Sequence, residues 1–146
     1  IHAHFTGVDL KADCIAYARE KSMDYPEIHF VQSDYRDYAP EQAVDIAFSS
    51  LFCHHLSTNE MLEYLHWMKS CSRHFFINDL HRNKIAESAI GLLTSLFSKS
   101  YLVKNDAPAS VRRGWIRREW QELLEQSDIQ AEISWQWAFR WRIQSI

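Results

Sequence analysis

A short apolar or β-favouring run that ends on an acidic or polar residue, with a helix or loop pattern directly after it, recurs along this chain. That repeat limits the fold more than any other feature. Phe5-Thr6-Gly7-Val8 leads into Asp9-Leu10, and Ile28 to Ser33 leads into Asp34. Val44 to Ser49 leads toward the pair His54-His55, and Phe75 to Ile77 leads into Asp79. Strands that alternate with helices predict an α/β sheet that is largely parallel. In such open sheets ligands bind beyond the carboxyl ends of the strands, so the polar residues ending these runs share one functional rim. A carboxylate there has two acceptor oxygens for the paired hydroxyls of a ribose. Four such strand ends describe a nucleoside-type pocket.

The remaining elements follow from spacing and punctuation. Cys14, Ile15 and Ala18 share one face of a helix over about Lys11 to Lys21, and Pro26 breaks the chain after it. Ile28–Gln32 and Val44–Phe48 read as strands, the second apolar enough to suit burial on both faces. Ser57 and Glu60 have capping-box spacing at the head of a helix that runs to about Lys69. His74 to Leu80 is the next strand. Ile85, Ala89, Leu92, Leu93 and Leu96 predict a helix over 84–97, which Gly91 weakens by about 1 kcal/mol. The stretch 105–110, with Pro108, reads as a loop, and a last helix covers about 118–126. In the tail Ile133, Trp135, Trp137, Phe139, Trp141 and Ile143 alternate with polar or small residues. Strands average about 5–6 residues, so the alternation predicts a hairpin with Trp135 opposite Trp141 and Ile133 opposite Ile143. That register needs a three-residue loop, Trp137 to Phe139, although no Gly or Asn stands there.

Composition narrows the function. With 146 residues, 47% hydrophobic and 14% aromatic, the chain is expected to form one packed domain, 1–146. A net charge of -3 argues against nucleic acid as a partner. No apolar run approaches the roughly 18 residues of a membrane span. Three scattered cysteines, Cys14, Cys53 and Cys71, suit a reducing cytoplasm better than a disulfide framework. Cys53, His54, His55, Cys71 and His74 lack the spacing of a metal site, so no metal is expected. The chain has no initiator methionine and begins just before a strand, as the later part of a longer protein would.

Together these runs resemble the class I S-adenosylmethionine-dependent methyltransferases of the bacterial small-molecule type. Gly7-Val8-Asp9-Leu10 with Ala16-Tyr17-Ala18-Arg19-Glu20 is similar to that family's second strand and helix. Phe30-Val31-Gln32-Ser33-Asp34 is similar to its third strand, and Val44 to Ser50 with His54-His55-Leu56 to its fourth strand and following turn. Asp79-Leu80-His81-Arg82 is similar to a fifth-strand ending. The resemblance implies a Rossmann-like three-layer α/β sandwich, mostly parallel, with a C-terminal antiparallel hairpin and the strand order 3-2-1-4-5-7-6. It also implies a first strand with a glycine-rich loop that this sequence does not show, so an N-terminally truncated methyltransferase domain is expected.

On this resemblance S-adenosyl-L-methionine is the cofactor and Asp9, Leu10, Asp34, Tyr35, Ser49 and Ser50 bind it. Asp9 would take the ribose and Asp34 the adenine amino group, with Tyr35 as a stacking face. For Asp9 the plainer alternative is a helix N-cap. His81, His54 and Asp79 are the catalytic candidates. A histidine titrates near neutral pH and can take the proton of an acceptor hydroxyl; Asp79 would orient His81. His55 and Arg82 are the substrate-binding candidates, Arg82 attracting an anionic or phenolate group; the alternative is a structural Asp79–Arg82 ion pair. The expected reaction is methyl transfer to a small molecule, to a hydroxyl oxygen of an aromatic or polyketide-like acceptor. Two rivals stay open: a non-catalytic methyltransferase-like interaction module, and a nicotinamide-binding Rossmann domain.

Overall fold

The computed structural model describes residues 3–146, and the chain divides into two compact units, Ile1–Gln42 and Ala43–Ile146.

In the first unit β1 (Phe5–Asp9) and β2 (Ile28–Gln32) pair in parallel, with Phe5 opposite Ile28 and Asp9 opposite Gln32. A parallel pair needs a crossover, and α1 (Ala12–Lys21) supplies it, burying Ile15. The Phe30 ring lies against Gly7, where a Cβ would sit 2.8 Å from a ring carbon. Arg19 ties α1 to β2 by donating to the Phe30 carbonyl at 2.8 Å.

The second unit holds β3 (Val44–Ser50), a 3-10 turn at Cys53–His55, α2 (Thr58–Cys71), β4 (Ser72–Leu80), α3 (Lys84–Phe97), α4 (Tyr101–Arg113), α5 (Arg117–Gln126), β5 (Ala131–Gln136) and β6 (Arg140–Ser145). Its sheet has the order β3-β4-β6-β5, parallel between β3 and β4 and antiparallel for the rest. The capping box at α2 is formed: Glu60 accepts from the Ser57 amide at 2.8 Å and donates its own amide to Ser57 Oγ at 3.4 Å. Met61, Leu65 and Met68 of α2, Trp120 and Leu123 of α5, and Ile77, Trp141 and Ile143 of the sheet make the core. The hairpin has the expected register, Trp135 with Trp141 and Ile133 with Ile143, around residues 137–139. Phe139 takes the positive φ of 55° that a glycine would ordinarily supply.

Each unit reproduces part of the implied order. The pair β2-β1 matches its third and second strands, and β3-β4-β6-β5 its fourth, fifth, seventh and sixth. No counterpart of the first strand occurs among the described residues.

Two expectations fail. Residues 105–110 are not a loop but the middle of α4, Pro108 included. A mid-helix proline forfeits one backbone bond, but Ser100 caps the start, the Gly114 amide closes the end on Ser110 and Val111, and α4 packs along α3. Gly91 faces Pro108 across that packing, and a Cβ there would meet Pro108 Cγ at an ordinary 3.7 Å. Secondly, β3 is not covered on both faces. Val44, Ile46 and Phe48, alternate residues on one face of β3, are exposed, Phe48 to 69%, so no layer packs over that face; pairing with β4 engages the backbone edge of β3 and covers neither face. No described helix is long and apolar enough to cross a membrane.

Candidate functional site

The second unit gathers its polar chemistry where β3 and β4 end. Asp79, the penultimate residue of β4, is fully buried. Its Oδ2 accepts the Cys53 amide at 2.6 Å; its Oδ1 accepts from His54 Nδ1 at 2.8 Å and from the Leu80 amide at 2.6 Å. A carboxylate cannot donate, so His54 carries its proton on Nδ1 and presents Nε2 as the basic nitrogen. The His54 side chain is only 4% exposed and lies under His55, ring centroids 4.1 Å apart. His55 itself is exposed. Burial, then the neighbouring His54, lower its pKa below 6.5. Burial drives the Cys53 thiol well above its usual range, which makes it a packing residue rather than a nucleophile.

Trp115 fastens this arrangement. Its amide donates to the Leu80 carbonyl, its own carbonyl accepts from the Arg82 amide, and its indole donates to the Cys53 carbonyl at 3.0 Å. Trp141 Nε1 donates to the Trp115 carbonyl at 3.0 Å. Gly114 permits the approach, because a Cβ there would stand 2.6 Å from the Leu80 carbonyl oxygen.

His81 follows in an isolated bridge to Trp115 and packs on Trp141, centroids 4.8 Å apart. Burial lowers its pKa below 6.5. Its Nδ1 is buried without a partner among the described residues, which favours the tautomer with the proton on Nε2. The two histidines therefore present opposite functions, His54 Nε2 as acceptor and His81 Nε2 as donor.

The orienting contact falls differently from the sequence reading. Asp79 holds His54, not His81, because the turn after β3 carries His54 onto the carboxylate. Asp79 and Arg82 form no ion pair: both Asp79 oxygens are taken by the Cys53 amide, His54 and the Leu80 amide, and Arg82, two residues past the end of β4, pairs with Glu119 instead. Glu119 also accepts the Ile116 amide at 3.0 Å. Ser49 is buried, and Ser50 accepts from Asn78 at 3.4 Å. Trp115 and Glu119 escaped the sequence reading. The only signal for them is the spacing of Ile116 and Glu119, which a side-chain cap at Ile116 would have made visible.

In the first unit Asp9 ends β1, exposed, with Oδ1 accepting the Lys11 amide at 2.7 Å. Asp9 is not the N-cap of α1, since that position falls to Lys11 and no side chain caps the helix; the Lys11 amide bond closes a local turn instead, and Oδ2 has no hydrogen bond among the described residues. One oxygen stays open to a ribose hydroxyl, and exposed Leu10 offers apolar surface beside it. Asp34 is engaged on both oxygens by Arg36, at 3.0 and 2.6 Å. Hydrogen bonds from the Arg36 side chain and amide hold its pKa down at about 2. An adenine amino group would compete with that guanidinium. The Arg36 guanidinium also sits over the Tyr35 ring, 5.8 Å from its centroid.

The strand orders of the two units, each with polar groups at the strand ends, are those of a Rossmann-like methyltransferase fold, but the expected mostly parallel character is not met: the pairs β1-β2 and β3-β4 are parallel and the pairs β4-β6 and β6-β5 antiparallel, because β5 and β6 form a hairpin. Residues 1–74 match the family described as methyltransferase domain. The chain belongs to that family, the cofactor of which is S-adenosylmethionine. Solved structures agree on the fold. The chain is similar to a SAM-dependent methyltransferase from Aquifex aeolicus, at 17% identity and a TM-score of 0.69, over 97% of this chain and 68% of that one. It is similar to the magnesium protoporphyrin IX methyltransferase of Synechocystis PCC 6803, solved with bound SAH, at 12% identity and a TM-score of 0.64, over 98% and 63%. It is also similar to the plantazolicin methyltransferase BpumL, solved with a triazolic desmethylPZN analog and SAH, at 17% identity and a TM-score of 0.69, over 90% and 50%. The chain thus spans half to two thirds of the length of several relatives. No curated protein matches it in sequence.

Proposed function

We propose that the protein carrying this chain transfers a methyl group from S-adenosylmethionine to a hydroxyl oxygen of an aromatic or polyketide-like small molecule, in a bacterial cytoplasm. The observation that carries the reading is the His54–Asp79 pair at the carboxyl ends of β3 and β4 in a chain of the methyltransferase-domain family. Residues 1–146 are taken as one methyltransferase domain. In the first unit Asp9 Oδ2 receives a ribose hydroxyl, Leu10 lies against the nucleoside, and Asp34 with Tyr35 contributes once Arg36 yields; for Ser49 and Ser50 the cofactor-binding role rests on the family resemblance. The bound cofactor supplies an electrophilic methyl group. His54 takes the acceptor's proton on Nε2, and Asp79 keeps the imidazole in the required tautomer. His81 donates from Nε2 to a second oxygen of the acceptor, and exposed His55 lines the approach. Arg82 is half-neutralised by Glu119 and attracts a phenolate weakly.

General-base catalysis contributes about 10²–10⁴-fold, so His54→Gln should lower kcat by that factor while leaving KM for the cofactor unchanged. The assay follows methyl-labelled cofactor with a panel of phenols and enols, products read by mass spectrometry. Full activity in His54→Gln refutes the base assignment, and no transfer to any hydroxyl acceptor refutes the substrate class.

A further inference from the structure

The α3–α4 hairpin is built inside out. Its small residues face inward: Ala86 and Thr94 are buried, and Gly91 meets Pro108. The Thr94 hydroxyl satisfies itself on the Ile90 carbonyl at 2.8 Å. The large apolar side chains point outward. Ile85, Leu92, Leu93, Leu96 and Phe97 of α3 and Tyr101, Leu102 and Val103 of α4 are 45 to 80% exposed. An amphipathic helix at a protein–water boundary turns such residues to the core, and a contiguous exposed patch of this kind marks a docking surface.

Charge selects what docks. Between Glu87 and Asp106 the chain has no acidic residue, while Lys99 lies in the turn between the helices and Lys104 in the first turn of α4. Neither lysine has a carboxylate partner among the described residues. An apolar tip carrying aromatic rings and flanked by free ammonium groups has the chemistry of an anionic membrane surface, apolar atoms meeting the acyl boundary and cations the phosphates. A second copy fits worse. In a two-fold interface the same patch meets itself, so Lys99 and Lys104 of each copy would be brought toward those of the other. No described helix can cross a bilayer, so the contact is interfacial.

We propose that the tip of the α3–α4 hairpin, from Leu92 to Lys104, docks the protein on an anionic lipid surface. This inference is independent of the methyl-transfer reading.

The test is co-sedimentation of the full-length protein with vesicles of pure phosphatidylcholine and with vesicles containing about 30% phosphatidylglycerol. The anionic vesicles should bind at least about tenfold more tightly, and high salt should erase the difference. Phe97→Asp/Leu102→Asp should abolish sedimentation with both. Lys99→Glu/Lys104→Glu should remove only the anionic preference. All four positions are exposed, and an unchanged circular dichroism melt confirms that the variants fold. The proposal is overturned if the wild type ignores anionic vesicles at low salt, or if Phe97→Asp/Leu102→Asp binds undiminished. It is equally overturned if light scattering shows a wild-type dimer that this variant splits, which would make the face an interface between copies.

Discussion

Asp79→Ala should be among the most destabilising single substitutions in the second unit. The side chain is fully buried and accepts from the Cys53 amide, His54 Nδ1 and the Leu80 amide. Truncation leaves these donors facing a small cavity, and each buried donor left unsatisfied costs about 1–3 kcal/mol. Leu80 is half-buried and can recover water, which leaves two donors and a loss of about 2–6 kcal/mol. Against a total stability of about 5–15 kcal/mol this brings the domain close to unfolding. Asp79→Asn keeps one acceptor oxygen for Cys53 but turns an amide toward His54, so it should cost less while reversing the His54 tautomer. Urea unfolding reads the midpoint shift at constant slope. A double-mutant cycle with His54→Ala isolates the pair and should return about 1–3 kcal/mol of coupling. A loss below about 1 kcal/mol for Asp79→Ala, or no coupling to His54, would refute the claim that this carboxylate organises the site.

Two glycines should respond oppositely to alanine. Gly114→Ala forces a Cβ to within 2.6 Å of the Leu80 carbonyl oxygen and should cost about 1–3 kcal/mol by urea unfolding. Gly91→Ala meets only Pro108 Cγ at 3.7 Å and should gain about 0.5–1 kcal/mol as a helix-interior replacement. Acid should weaken the fold through His55 and His81. Both have folded-state pKa values lowered from 6.5, so the unfolded chain binds the proton first. Their contribution is complete above 6.5 and is lost as pH falls below it; His55→Asn/His81→Asn should flatten the decline in urea midpoints over that range. Asp34 behaves conversely. Its pKa lies at about 2 against an ordinary 3.8, so its stabilisation is present above 3.8 and fades as pH falls toward 2. Carboxyl NMR titration of Arg36→Ala should return it toward 3.8.

What could be read from the sequence is what local pattern determines. Strand-then-acid punctuation placed β1, β2 and β4, the Ser57–Glu60 spacing placed the start of α2, and period-two alternation fixed the hairpin register to the residue. The failures have a common cause, since each depends on a partner remote in sequence. Pro108 and the polar stretch about it read as a loop because the packing of α3 that sustains α4 is invisible locally. Val44, Ile46 and Phe48 read as covered because their apolar content says nothing of what packs over the face they share. At the site, residue types were legible but partners were not. The sequence marks Asp79 as an orienting group, yet the choice of His54 over His81 depends on the turn at Cys53–His55. Trp115, which holds that turn by a single indole hydrogen bond, carries no motif.

Isothermal titration of S-adenosylhomocysteine into the full-length protein tests the central claim most directly. The wild type should bind in a one-to-one ratio, and Asp9→Ala should weaken binding by about tenfold or more, since a hydrogen bond to a charged group contributes about 1.5–3 kcal/mol. No heat of binding with the wild type, or binding indifferent to Asp9→Ala, would contradict the account.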